Sequence, residues 1–297
     1  MILLTGASGF IGKHLLKALI RQRGAANVLA LTSRPIGDCP YILHDNYDLG
    51  PAFFEDKGFD AITEVIHAGA FTPKRGSQGN DVVNCYGNIR STHLLIQALP
   101  GSVERFVLLS TLDVYGPTSQ QITEGSPIAP ASLYGHSKYY CEKEVEAWAM
   151  ANGKLMQIAR IGHAYGPGEE GYQKIIPETM RKLLRKEAPQ IWGKGEELRS
   201  FIYVEDVVRT IMNTLKLDRY TGPINIVSEH AISINRLVGM LIGISGSDIL
   251  PEYLPAAGTP KDLVFDNSRM KELLGAEETT LQSGLTSEWK HMSDSLK

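Results

Sequence analysis

Thr5-Gly6-Ala7-Ser8-Gly9-Phe10-Ile11-Gly12 is the stretch whose reading decides the fold. Apolar Ile2-Leu3-Leu4 before it reads as a strand, and the amphipathic stretch 11–22 after it reads as a helix. Glycines at 6, 9 and 12 permit a tight turn, a close approach of backbone to a pyrophosphate, and close helix–strand packing. The helix N-terminus adds free N–H groups and a positive dipole end. A glycine triplet alone is weak evidence; its place between a strand and a helix makes it a dinucleotide-binding signal. Gly6, Ser8, Gly9, Phe10, Ile11 and Gly12 are therefore the first candidate cofactor contacts.

Working outward, short apolar runs at 28–31, 65–68, 105–110 and 155–159 alternate with helix-length stretches, notably at about 84–99 and 134–151. This is the pattern of βαβ units, whose right-handed crossovers give a doubly wound parallel α/β sheet. The texture changes after Tyr165, where Gly166-Pro167-Gly168 opens a loop followed by a basic helix at about 175–186. The expected organisation is a dinucleotide-binding Rossmann domain over 1–165, with 196–225 returning to it. Residues 166–195 and 226–297 form a smaller C-terminal substrate-binding lid.

The totals fit. A chain of 297 residues with 43% hydrophobic and 21% charged residues can bury a sizeable core. Its formal net charge of -3 argues against a nucleic-acid partner or a polybasic membrane surface. Cys39, Cys85 and Cys141 are odd in number and widely spaced, so free thiols are expected and no metal site. No apolar run approaches the roughly 20 residues of a membrane helix. The first residues do not form a signal peptide, so a cytoplasmic protein is expected.

The end of the second strand bears on the cofactor. An Asp or Glu there would bond the ribose hydroxyls of NAD, but this chain has Thr32-Ser33-Arg34. Arg34 can pair with a 2′-phosphate, so NADP(H) is expected in preference to NAD(H).

Tyr134-Gly135-His136-Ser137-Lys138 places a phenol and an ammonium four residues apart, on one helix face. A nearby ammonium stabilises a phenolate and draws the phenol toward neutrality, where acid–base work is efficient. Thr111 closes the run 105–111 at the strand end where open α/β sheets bind ligands, and its hydroxyl can bond the reacting oxygen.

With these residues in place the chain resembles the NAD-dependent epimerase/dehydratase family, the extended short-chain dehydrogenases, from residue 2 to about 275. The likeness also rests on Asp48-Leu49, His67-Ala68-Gly69-Ala70, Asn84, Ser110-Thr111 and Tyr115-Gly116. Further along it rests on Arg160, Tyr165-Gly166-Pro167-Gly168 and the segment from Arg199 to Asp206. The resemblance implies hydride transfer between a sugar carbon and a nicotinamide, with Tyr134 moving the hydroxyl proton and Lys138 holding the nicotinamide ribose. It implies cofactor contacts at Asp48, Leu49, Ala68 and Ser110 besides the loop, Tyr134 and Lys138. A homodimer built from the helices at 84–99 and 134–151 is also implied.

Departures from the family pattern narrow the reaction. Family dehydratases carry Asp-Glu after the catalytic Thr, where this chain has Leu112-Asp113. The missing acid argues against a 4,6-dehydratase. Asp113 is a candidate base or tuner of Tyr134, or else a carboxylate bonded to its own turn. His163 stands where the family often has an Asn contacting the substrate diphosphate. Arg199 matches a diphosphate-gripping arginine, for which a guanidinium is well shaped. Lys261, in Thr259-Pro260-Lys261-Asp262, falls near a second cationic position. The expected substrate is a nucleotide-diphosphate sugar, and the expected enzyme an epimerase or a 4-ketoreductase. A reductase of a non-nucleotide carbonyl compound and a non-catalytic dinucleotide sensor are the alternatives.

Overall fold

The computed structural model describes residues 1–297 other than 45, 117, 119, 257–260 and 296–297; Thr259 and Pro260 of the quoted Lys261 segment thus lie outside the described residues. The chain begins β1 (Ile2–Thr5), α1 (Phe10–Arg23), β2 (Val28–Thr32), β3 (Tyr41–Leu43), α2 (Phe53–Asp56), β4 (Glu64–His67) and α3 (Val82–Ala98). It continues β5 (Arg105–Thr111), α4 (Leu133–Asn152), β6 (Leu155–Ile161), β7 (His163–Tyr165), α5 (Ile175–Leu184), β8 (Gln190–Trp192) and β9 (Leu198–Tyr203). The remaining elements are α6 (Val204–Thr214), β10 (Ile224–Ile226), β11 (Ala231–Ser233), α7 (Ile234–Ser245), β12 (Glu252–Leu254), α8 (Ser268–Leu274) and α9 (Leu281–Asp294).

The main sheet has seven strands in the order β10-β6-β5-β4-β1-β2-β3, every pair parallel. Alternate side chains leave opposite faces of a strand, and the core follows that rule. Leu4, Ile66 and Val107 pack on one face with Leu15 and Leu19 of α1 and Val207 and Ile211 of α6. Leu3, Val65 and Phe106 pack on the other with Leu95 of α3 and Val145 of α4. With both faces covered, β1 and β2 are buried throughout rather than alternating. Edge strand β3 has no such signature: it is three residues long and mostly exposed, and hydrophobic patterning passes over it.

The segment 196–225 divides. Its last strand, β10, extends the main sheet beside β6, and α6 packs on α1. Its first strand, β9, does not enter the main sheet; it pairs parallel with β7 and antiparallel with β11. A smaller core formed by Tyr165, Ile176, Met180, Leu237, Leu241 and Leu285 lies against this second sheet. Cys39, Cys85 and Cys141 are free. Among the described residues no helix is long and apolar enough to cross a membrane.

Candidate active site

The site begins at the carboxyl ends of β1, β4 and β5. Gly6 adopts φ +70, and its N–H donates to the Leu31 carbonyl at 3.1 Å. A Cβ on Gly6 would stand 2.6 Å from the Gly69 backbone, and one on Gly12 1.9 Å from the Gly6 carbonyl oxygen. Only glycine fits either place. The N-cap of α1 is Gly9, without a side-chain cap, so the first-turn N–H groups are available to an anion.

A buried relay fixes this end of the sheet. The Thr92 hydroxyl donates within α3 to the Asn88 carbonyl at 2.9 Å and so accepts from His67 Nε2 at 3.1 Å. His67 Nδ1 then accepts the Thr5 hydroxyl at 2.7 Å, and the Thr5 oxygen accepts the Gly69 N–H at 2.9 Å. Burial first, then the charge of Lys138, pull His67 down to about 3. The imidazole is neutral and ties β1, β4 and α3 together.

Tyr134 and Lys138 sit in the first two turns of α4, whose N-cap Ser132 accepts from the Gly135 N–H at 3.2 Å. Gly135 is needed because a Cβ there would lie 2.2 Å from the Asp113 carbonyl oxygen. The helix start is thereby pressed onto the turn Leu112–Val114 that follows Thr111. The Tyr134 phenol meets the hydroxyls of Thr72 and Thr111, and the Thr111 oxygen accepts the Asp113 N–H at 3.2 Å. Lys138 is 2% exposed. Its ammonium has no hydrogen-bond or ion-pair partner among the described residues.

The electrostatics depart from the simple reading of a Tyr–Lys pair. Burial and then the Asp113 carboxylate push the Tyr134 phenol up, while burial pulls the Lys138 ammonium down. Asp113 is exposed, but desolvation by the protein around it raises its carboxyl, offset in part by Thr111 and Lys174. The protein's own field thus favours a neutral phenol.

Behind this pair lies a charged network. Glu142, one turn beyond Lys138, is fully buried. It accepts from Arg160 Nε at 3.0 Å and from a terminal guanidinium nitrogen at 2.7 Å. It also accepts the Ser110 hydroxyl at 2.5 Å. Arg160 donates onward to the Tyr115 hydroxyl at 2.8 Å, which donates to Asn225 at 2.8 Å. Ser110 is therefore committed to Glu142.

A cavity of 340 Å³ is lined among others by His163, Glu169, Lys174, Trp192 and Arg199. His163 and Arg199 come from the paired strands β7 and β9. His163, pulled to about 4 by burial, Lys174 and Arg199, is neutral. A terminal nitrogen of Arg199 donates to the carbonyls of Leu198 at 2.8 Å and Lys261 at 2.5 Å, which leaves its other donors for a ligand. Lys261 is not among the residues lining the cavity; its carbonyl orients Arg199, and its side chain is exposed.

At the cofactor end, Ala68 borders Gly6. Leu49 is buried, and Asp48 is 78% exposed with Arg90 at 3.4 Å. Arg34 is exposed beyond β2, its main chain held by the Thr32 hydroxyl. The residues that motif reading passed over are Thr72, Glu142 and Lys174. Of these only Glu142 carried a signal, its i+4 spacing from Lys138 on the same helix face.

The model of the NAD-dependent epimerase/dehydratase family matches residues 2–226. The chain belongs to that family. It is an enzyme of the extended short-chain dehydrogenase type. The uncharacterized UDP-glucose epimerase YtcB of Bacillus subtilis (strain 168) is 29% identical, the alignment covering 98% of each chain. Among solved structures, the UDP-glucuronic acid 4-epimerase of Bacillus cereus with UDP-glucuronic acid and NAD superimposes with a TM-score of 0.86 at 26% identity, covering 100% of this chain and 99% of that one. MoeE5 with UDP-glucose and NAD gives a TM-score of 0.85 at 30% identity and the same coverage. Both of these relatives hold NAD, which overturns the expectation of NADP(H) drawn from Arg34. The physical reason is that one exposed guanidinium beyond β2 is not by itself a built 2′-phosphate site.

Proposed function

We propose that this protein is an NAD-dependent epimerase of UDP-sugars, with Tyr134 as its acid and base. The observation that carries the reading is the Tyr134 phenol beside the Thr111 and Thr72 hydroxyls, one turn from Lys138, a 2% exposed residue whose ammonium has no hydrogen-bond or ion-pair partner among the described residues. A buried unpaired charge is costly, and the ribose hydroxyls of a dinucleotide are the partners Lys138 lacks. The glycine cradle and the uncapped α1 fit the pyrophosphate of the same ligand.

NAD, when bound, would supply the hydride acceptor and a positive charge. Tyr134 takes the proton from a sugar hydroxyl and returns it after the configuration has inverted. Thr111 bonds the reacting oxygen, and Lys138 holds the ribose and opposes the upward push that burial and Asp113 exert on Tyr134. Leu112 offers no acid to expel a hydroxyl, consistent with epimerisation rather than dehydration. Arg199 grips the diphosphate, and His163, a neutral imidazole whose one N–H is given from Nδ1 to the Ser200 carbonyl at 3.3 Å, offers its other nitrogen as an acceptor for a hydroxyl of the sugar nucleotide. The smaller unit, residues 166–195 and 226–297 with β9 beside it, receives the sugar nucleotide.

Val82, Val83 and Tyr86 on α3 and Tyr140 on α4 are exposed, and the two helices pack side by side. This apolar face supports a homodimer through α3 and α4.

The reading is tested by denaturing the purified protein and identifying the released dinucleotide by mass spectrometry, then following UDP-glucose and UDP-glucuronic acid for inversion. Retained NAD with inversion of either sugar supports an epimerase. An empty site that consumes NADH with a 4-keto sugar would make the enzyme a 4-ketoreductase instead. Tyr134→Phe is expected to lose about 10²–10⁴ in turnover while keeping its cofactor.

A further inference from the structure

His14 lies on α1, the cofactor helix, its ring edge-on to that of Phe10 at 6.0 Å between centroids. Its Nδ1 meets the Glu205 carboxylate of α6 at 2.6 Å, and its Nε2 meets the Pro167 carbonyl at 2.8 Å. Both partners are acceptors only. A neutral imidazole has a single N–H, so one lone pair would face an oxygen at hydrogen-bond distance. The imidazolium, with two N–H groups, satisfies both contacts.

Pro167 belongs to a loop that turns sharply on Gly166 (φ +136) and Gly168 (φ +101). A Cβ on Gly166 would stand 2.7 Å from Val204, and one on Gly168 3.6 Å from the Phe10 ring. The loop is thus pressed between α1 and α6. It goes on to Glu169 and Lys174, which line the 340 Å³ cavity. We propose that His14 is a positioning residue for the sugar-nucleotide site: as an imidazolium donating from both nitrogens, it holds the 166–174 loop, and with it one cavity wall, against the cofactor helix. The link to substrate rests on reading that cavity as the sugar-nucleotide site.

The charges around His14 favour this state. Burial opposes it, but the Glu205 hydrogen bond, the Pro167 carbonyl and the Glu205 charge together raise His14 above its ordinary 6.5, against Lys17 of its own helix. Glu205 is held ionised first by His14, with Arg21 and Lys17 assisting. The hold is complete at low pH and is lost as pH rises through the raised value. Losing it frees the loop and weakens binding in the cavity.

The experiment follows His14 by ¹⁵N-edited NMR between about pH 5 and 9, with UDP calorimetry and amide exchange of 166–174 at each pH. Wild type is expected to titrate above 6.5, with UDP affinity falling about three- to tenfold across the titration as one charge-assisted bond is lost. Loop exchange should quicken in step. His14→Gln should bind UDP at the weakened level without that pH dependence and retain NAD affinity, and Glu205→Gln should move the titration to lower pH. Titration at or below 6.5, or loop exchange with the same pH dependence in His14→Gln, overturns the proposal. Failure of UDP to bind at any pH would refute the substrate reading, while NMR and exchange would still decide the clamp.

Discussion

Replacing Glu142 by Leu removes the centre of the buried network and leaves Arg160 charged. Three donors lose their acceptor: Arg160 Nε and one terminal nitrogen, and the Ser110 hydroxyl. Counting each charge-assisted bond at about 1.5–3 kcal/mol would exceed what such substitutions cost, because water and relaxation recover part of the loss. The larger consideration is that the Arg160 side chain is 4% exposed and cannot reach solvent. An uncompensated buried charge costs about 3–5 kcal/mol. For a chain of 297 residues that is a drop of roughly 5–8 °C in Tm. The companion variant, Glu142→Leu with Arg160→Met, removes both charges and should be about 2 kcal/mol or more better than Glu142→Leu alone. Urea denaturation of the wild type, both single variants and the double variant supplies the cycle. A double variant less stable than either single one would refute the argument that the unpaired charge dominates.

Other consequences are as direct. Gly12→Ala should abolish cofactor retention, since the added methyl has no room beside the Gly6 carbonyl; dinucleotide released on denaturation measures it. His67 is held near 3 by burial, so the native state disfavours its protonation. Stability present above the unfolded value of about 6.5 is then lost as pH falls toward 3, with a slope of at most about 1.4 kcal/mol per pH unit. Urea midpoints across that window should show the loss, and it should shrink in His67→Gln. Arg199→Ala should raise the KM for a UDP-sugar by about ten- to a hundredfold through loss of a charged hydrogen bond, with NAD retained; an unchanged KM would remove the diphosphate from that site.

Much of the main fold is legible along the chain because its causes are local. The glycine loop states its own backbone requirements, and β1, β2, β4, β5 and β6 are apolar runs flanked by helix-length segments. Tyr134 and Lys138 can be paired from spacing alone, because four residues on a helix share a face. Strand β3 left no comparable trace: at an edge, three partly exposed residues need no apolar pattern. Arg34 was legible as a cation, but a 2′-phosphate site depends on what surrounds that cation, and its exposure is a tertiary property.

The amino-acid sequence by itself determined the dinucleotide loop, the class of sheet and the candidate acid–base pair, since each depends on contacts within a few residues. Only the tertiary structure decided the rest. It brought Glu142 to Arg160 and Ser110, His14 to Pro167 and Glu205, and Lys174 into the cavity with His163 and Arg199. It also set the direction of each charge shift, pushing Tyr134 up where a neighbouring lysine alone would draw it down. Burial and long-range charge depend on which distant segments meet, and no local spacing encodes that.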